Sequence, residues 1–129
     1  MGMPHISHWH SIFHNALEAP KKFGFNAGTG YFGFCNFKNP KKQALRTITS
    51  DNPKKDAEEL FRCLIEGANQ IPPKTSNQIL YLLNGEVTIS LRTITSTRNS
   101  PAVEISFNEK ASNSSVKKQK IHFIKKGAK

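Results

Sequence analysis

Apolar and polar residues alternate over three stretches in the last forty or so positions. They are Val87-Thr88-Ile89-Ser90-Leu91-Arg92, Ala102-Val103-Glu104-Ile105-Ser106-Phe107 and Lys120-Ile121-His122-Phe123-Ile124. Strand side chains alternate between faces with period two, so each stretch predicts a half-buried β-strand. With Val87, Ile89, Leu91, Val103, Ile105, Phe107, Ile121 and Phe123 turned to the core, Arg92, Glu104, Lys120 and His122 share the opposite face. Asn84-Gly85 between alternating runs predicts a two-residue hairpin. In that register Leu82 faces Val87 and Leu80 faces Ile89, and Tyr81 falls opposite Thr88, on the face of Arg92.

The period changes to helical after Asn52-Pro53. Asn52 is a natural cap, Pro53 suits the first helical position, and Asp56, Glu58 and Glu59 complement the positive end of the helix dipole. Ala57, Leu60, Phe61, Leu64 and Ile65 recur at helical spacing as one apolar stripe, and Gly67 is a natural stop. Ile71-Pro72-Pro73 then imposes an extended connection. Near the amino end, Ile6, Trp9, Phe13 and Leu17 predict a short amphipathic segment with those residues inward. The segment from Phe23 to Lys38 interleaves aromatics with glycines and lysines. It reads in two ways: bases could stack on the rings, or an irregular hairpin places its phenylalanines in the core, which is the preferred reading. Leu-Arg-Thr-Ile-Thr-Ser occurs at 45–50 and again at 91–96 without shared flanks, so no repeat architecture follows.

The pattern as a whole predicts an α+β fold, with amino-terminal helices packed on a twisted antiparallel sheet of four to five strands. The 129 residues form one domain, with a helical or irregular part over 1–50 and a helix plus sheet over 51–129. No stretch approaches the roughly 18 apolar residues of a membrane span, and no stable membrane association is expected. Cys35 and Cys63 form no framework and read as free thiols.

Charge changes the picture. Nineteen Lys/Arg against nine Asp/Glu give a net +10, which favours a nucleic acid or an acidic protein as partner. Four of the five histidines lie in the first twenty residues. His10 and His14 are spaced to share a helix face, but the metalloprotease pattern needs a Glu where Ser11 stands. Glu58 and Glu59 diverge on a helix and no Asp-x-Asp occurs, which argues against a two-metal nuclease. Gly28-Thr29-Gly30 lacks the lysine and serine of a phosphate loop. No cofactor or metal is expected.

RNA supplies its own nucleophile, the 2′-hydroxyl. Cleavage then needs a proton acceptor, a proton donor and cations for the phosphorane charge. His122 is the best candidate for proton transfer, and Arg92 can grip a phosphate bidentately. Ser96 and Thr97 can donate hydrogen bonds to phosphate, Glu104 can act as base or orient a cation, and Lys120 adds positive field. Tyr81, Arg98, Lys118 and Lys120 are candidate RNA-binding residues. Each also has an ordinary reading: a strand histidine is commonly structural, and an arginine beside an acid is commonly a surface ion pair.

From about Asp56 to Ile124 the chain resembles the small toxin nucleases of the barnase/EndoU/colicin/RelE fold, above all the carboxy-terminal toxin domains of contact-dependent growth inhibition. The residues that carry the resemblance are the helix at 57–67, the hairpin at 80–91, Leu91-Arg92-Thr93-Ile94-Thr95-Ser96-Thr97, Ser100-Pro101-Ala102-Val103-Glu104-Ile105, and Lys120-Ile121-His122-Phe123. The resemblance implies a metal-independent ribonuclease that cuts RNA, often tRNA, by 2′-hydroxyl transesterification. It implies Arg92, Ser96, Thr97 and His122 as site residues, with Glu104 and Lys120 in weaker support. It further implies secretion or surface delivery within a larger toxin, action in the target-cell cytoplasm, and neutralisation by a cognate acidic immunity protein. A basic RNA-binding module without catalysis is the alternative. A DNA-binding regulator is disfavoured, because no helix-turn-helix pair is visible.

Overall fold

The computed structural model describes residues 12–35, 38, 42–93, 100–107 and 118–126. Among them the chain runs through a helix over 12–18 (α1), a short 3-10 turn at Lys21–Phe23, and strand β1 at Leu45–Ser50. Helix α2 (Pro53–Leu64) follows, then β2 (Asn69–Ile71), β3 (Gln78–Leu83), β4 (Val87–Arg92), β5 (Ala102–Phe107) and β6 (Lys118–Lys125). The class is α+β. The six strands form one mixed sheet in the order β1-β6-β5-β4-β3-β2.

The sheet therefore exceeds the four to five strands expected and is not wholly antiparallel. Residues 45–50, assigned to a helical or irregular part, supply its edge strand, and β1 runs parallel to β6. A parallel pairing is closed by a crossover and leaves no turn signature in the sequence, so local pattern cannot announce it.

Helix α2 starts as its sequence dictates. The Asn52 side chain accepts from the Lys55 N–H at 3.3 Å, and Pro53 occupies the first turn. Its buried residues Ala57, Leu60, Phe61 and Leu64 cover one sheet face, against Val87, Ile89, Leu91, Val103, Ile105, Ile121 and Phe123. Burial of the larger of these side chains, the leucines, isoleucines, valines and phenylalanines, stabilises by about 1.5–3 kcal/mol each. Phe23 closes the same core, edge-on to Phe123 at 6.1 Å.

Of the four residues expected to face inward, Ile6 and Trp9 lie outside the described residues, and α1 turns a different face inward from that of Phe13 and Leu17. Ile12, Asn15 and Ala16 are buried, Phe13 is half-buried and Leu17 is exposed. The Asn15 side-chain amide explains the rotation, for it donates to the Leu64 and Glu66 carbonyls at 3.0 Å each. Those carbonyls lie where α2 runs out of intrahelical partners.

The β3–β4 hairpin shifts by one residue from its expected register. Asn84 and Gly85 take positive φ (54° and 72°), and the Glu86 N–H bonds the Leu83 carbonyl at 3.1 Å, as a tight turn requires. Glu86, however, stays outside the ladder, so Leu83 pairs with Val87 and Tyr81 with Ile89. One residue of slip sends every β3 side chain to the other face. Tyr81 thus lies on the core face, edge-on to Phe61 of α2 at 5.6 Å.

Candidate active site

The face of the sheet opposite α2 carries the candidate residues Arg92, Glu104, Lys120 and His122. Register places Thr47 of β1, His122 of β6, Ala102 of β5, Arg92 of β4 and Gln78 of β3 in one row across the strands. The next row holds Leu45, Lys120, Glu104, Ser90 and Leu80. His122 and Arg92 are two strand spacings apart, roughly 10 Å, with only the methyl of Ala102 between them. Glu104 sits two residues along β5 from Ala102, diagonal to both. The four residues predicted to share a face, Arg92, Glu104, Lys120 and His122, do so, with Arg92, Glu104 and His122 arranged around Ala102.

The partners of these groups differ. His122 Nδ1 lies 3.1 Å from Ser100 Oγ. A Ser100 hydroxyl donating to Nδ1 puts the neutral ring's proton on Nε2. Ser100 reaches the ring because it lies two residues ahead of Ala102, the ladder partner of His122, and the Phe123 N–H bonds the Pro101 carbonyl at 2.9 Å. Only 6% of His122 is exposed, so the imidazole is set into the face rather than standing on it. Arg92 donates to Thr75 Oγ1 at 3.1 Å, which orients one arm of the guanidinium from the β2–β3 loop. Glu104 receives Lys118 Nζ at 3.2 Å, and Lys120 stands directly opposite it in the ladder.

Sequence reasoning placed Ser100 in a motif but assigned no site role to Ser100, Thr75 or Thr47. Their roles arise from register and loop placement, for which no local pattern exists. Tyr81 does not join the face, because of the hairpin slip described above. Ser96, Thr97 and Arg98 lie outside the described residues, as do His5, His8 and His10. His14 is exposed on α1. Among the described residues no group of three or more His, Cys, Asp or Glu is gathered as a metal site would require. Cys35 and Cys63 are not joined in a disulfide, and the Cys35 thiol donates to the Lys42 carbonyl at 3.4 Å.

A second cluster lies away from this face, where β1 runs into α2. It surrounds an open cavity of about 480 Å³ lined by Ser50, Asp56, Lys22, Lys126 and neighbouring residues. Lys22 Nζ bridges Asp56 at 3.1 Å and Glu59 at 2.8 Å, and the Ser50 hydroxyl donates to Asp56. Partial burial by itself would push the Asp56 carboxyl up. The Ser50 hydroxyl and the Lys22 ammonium outweigh it, and the group lies below the usual carboxylate range. These contacts join elements of the fold rather than presenting unpartnered chemistry.

Scans of the chain against protein-family models, curated proteins and solved structures found no match. No helix among the described residues is long and apolar enough to cross a membrane.

Proposed function

We propose that the protein is a metal-independent ribonuclease toxin of the barnase/EndoU/colicin/RelE-like type, acting on RNA and most naturally on tRNA. The observation that carries this reading is the grouping of His122, Arg92 and Glu104 around Ala102 on one face of a chain with net charge +10.

In the proposed reaction the 2′-hydroxyl loses its proton to a base and its oxygen bonds the adjacent phosphorus. The bond from phosphorus to the 5′-oxygen breaks, and that oxygen takes a proton from an acid. The products end in a 2′,3′-cyclic phosphate and a 5′-hydroxyl. His122 is the group best suited to proton transfer near neutral pH. Glu104 serves as its counterpart or orients Lys118 and Lys120. The guanidinium of Arg92 meets the charge that develops on the phosphorane oxygens. Ser96, Thr97 and Arg98 belong to the same proposal, as groups that hold phosphate.

The same reading includes delivery as part of a larger toxin, with action in the target-cell cytoplasm. It also includes an acidic immunity protein, since a producing cell must survive its own toxin and a +10 surface attracts an anionic partner quickly. Solitary expression of the wild-type domain in bacteria should arrest growth, and co-expression of the partner should restore it.

One observation favours a second reading, a basic RNA-binding module without catalysis: His122 is nearly buried and held by Ser100. Incubation of the purified protein with total RNA, with and without EDTA, separates the two. Cleavage that survives the chelator and leaves cyclic phosphate ends supports the ribonuclease. Salt-sensitive binding with intact RNA supports the module.

A further inference from the structure

The described phenylalanines between Phe23 and Lys38 divide between two environments. Phe23 and Phe32 are buried in the core and Phe25 packs against Phe32 with ring centroids 4.8 Å apart, whereas Phe34 is 47% exposed. Its exposure is not that of a loose segment. The Phe34 N–H bonds the Thr47 carbonyl at 3.0 Å, and the Thr47 N–H returns a bond to the Phe34 carbonyl at 2.8 Å. This is an antiparallel bridge added to the free edge of β1. Directly opposed residues of such a pair project to the same face. Phe34 therefore lengthens the row that carries Thr47, His122, Ala102 and Arg92.

Two devices hold the backbone there. Gly33 has φ +61°, and a Cβ at that position would run into the Thr47 carbonyl and the Ile48 side chain, so only glycine lets this segment lie so close to β1. Arg46, on the other face, donates to the Phe32 and Gly33 carbonyls at 2.8 and 3.1 Å. An aromatic ring on an anchored backbone, half in solvent and roughly 10 Å along the row from His122, has the geometry of a stacking platform. Leu45, 38% exposed, lies on the same face two residues before Thr47, and Lys120 stands opposite it.

We propose that Phe34 receives a nucleobase of the RNA substrate, stacked on its ring beside the phosphate that His122 and Arg92 address. This rests on the ribonuclease reading and deepens it: the preferred substrate is single-stranded at the cut, because a paired base could not reach the ring. Phe34 is on this view a binding residue, and its loss should fall on substrate affinity rather than on the chemical step.

The test compares wild type with Phe34→Ala, Phe34→Leu and Phe34→Trp on a short single-stranded RNA containing one cleavage site. Alanine and leucine should each raise KM by about 5- to 150-fold, the range for loss of one base–aromatic stack, with kcat little changed. Tryptophan should keep the wild-type KM. In a Trp9→Phe background its fluorescence should be quenched by an oligonucleotide carrying a 2′-deoxy group at the cleaved position. An abasic nucleotide beside that position should weaken binding to wild type but not to Phe34→Ala. Wild-type KM in Phe34→Ala or Phe34→Leu overturns the platform while leaving the ribonuclease intact. A wild-type protein that neither binds nor cuts RNA overturns both.

Discussion

Leu45-Arg46 and Leu91-Arg92 open two copies of one hexapeptide, and the sheet uses them with opposite faces. In β1 the arginine points to the side of α2 and is consumed by the fold. Arg46 donates to the Phe32, Gln43 and Gly33 carbonyls at 2.8, 3.0 and 3.1 Å, and its guanidinium lies 4.5 Å from the centre of the Tyr31 ring. In β4 it is the leucine that enters the core: Leu91 is 4% exposed, while Leu45 remains 38% exposed. Arg92 projects to the other face, where Thr75 steadies it. The six residues are identical, so composition cannot decide which arginine is structural. The neighbours decide. β1 is flanked by carbonyls that need donors, and β4 is central, with an apolar helix above one face and the candidate site on the other.

The sharpest way to break this contrast is to remove the chemistry from the face that Arg92 shares. His122→Ala should lower RNA cleavage by about 10²- to 10⁴-fold, the usual contribution of an acid–base group, as measured by single-turnover cleavage of a defined RNA. Wild-type cleavage in that variant would remove His122 from the mechanism and move attention to the amino-terminal histidines. The leucines give the next contrast. Leu91→Ala should cost about 2–5 kcal/mol in denaturant unfolding, and Leu45→Ala less than about 1 kcal/mol. Equal costs would mean that the two copies do not differ in burial as described.

The arginines should cross over. Arg46→Ala leaves three carbonyls short of a donor and should destabilise by about 2–3 kcal/mol, while folded protein keeps its kcat and any loss falls on KM, through the Phe34 segment that Arg46 holds. Arg92→Ala should change stability by no more than about 0.5 kcal/mol and lower the rate by about 10²-fold. Arg92→Lys should damage kcat more than KM, because lysine keeps the charge and loses the planar fork. A matched modest fall in affinity and rate would reduce Arg92 to one part of a general basic surface.

Much of this face was legible in the sequence. Strict alternation in β4, β5 and β6 fixed which side chains share a face, and Asn52-Pro53 fixed where α2 begins. The failures share a cause. Asn84-Gly85 specifies the turn but not whether Glu86 joins the ladder, and that single residue sends Tyr81 to the core. The parallel seam between β1 and β6 depends on contacts seventy-five residues apart, so Leu45–Ser50 looks locally like any short polar strand. Asn15 carries a polar side chain at an inward position because the end of α2 needs a donor there, which disguises the buried stripe of α1. The contact of Ser100 with His122 follows from the β5–β6 register, and nothing around residue 100 announces it.

The serine that closes the first copy offers the smallest and most specific contrast. Ser50 is buried, accepts the Asn52 N–H at 3.0 Å and donates to Asp56. Its counterpart Ser96 belongs to the proposed phosphate-binding group. Ser50 should therefore show itself in pH-dependent stability and Ser96 in activity. Asp56 has a lowered pKa in the folded protein, so it stabilises the fold fully above the ordinary aspartate range, near pH 4. That contribution is lost as pH falls through the lowered value. Ser50→Ala removes one of the groups that lower the pKa and leaves the upward push of burial in place. The variant should be less stable at neutral pH by about 1 kcal/mol and should show a shallower loss on acidification. Asp56→Asn should abolish this part of the acid dependence, and Ser50→Ala should then change little in its background. Unfolding midpoints measured from pH 7 down to pH 3 check each step. An acid profile in Ser50→Ala that matches wild type would show that Lys22, rather than the serine, holds the Asp56 carboxylate.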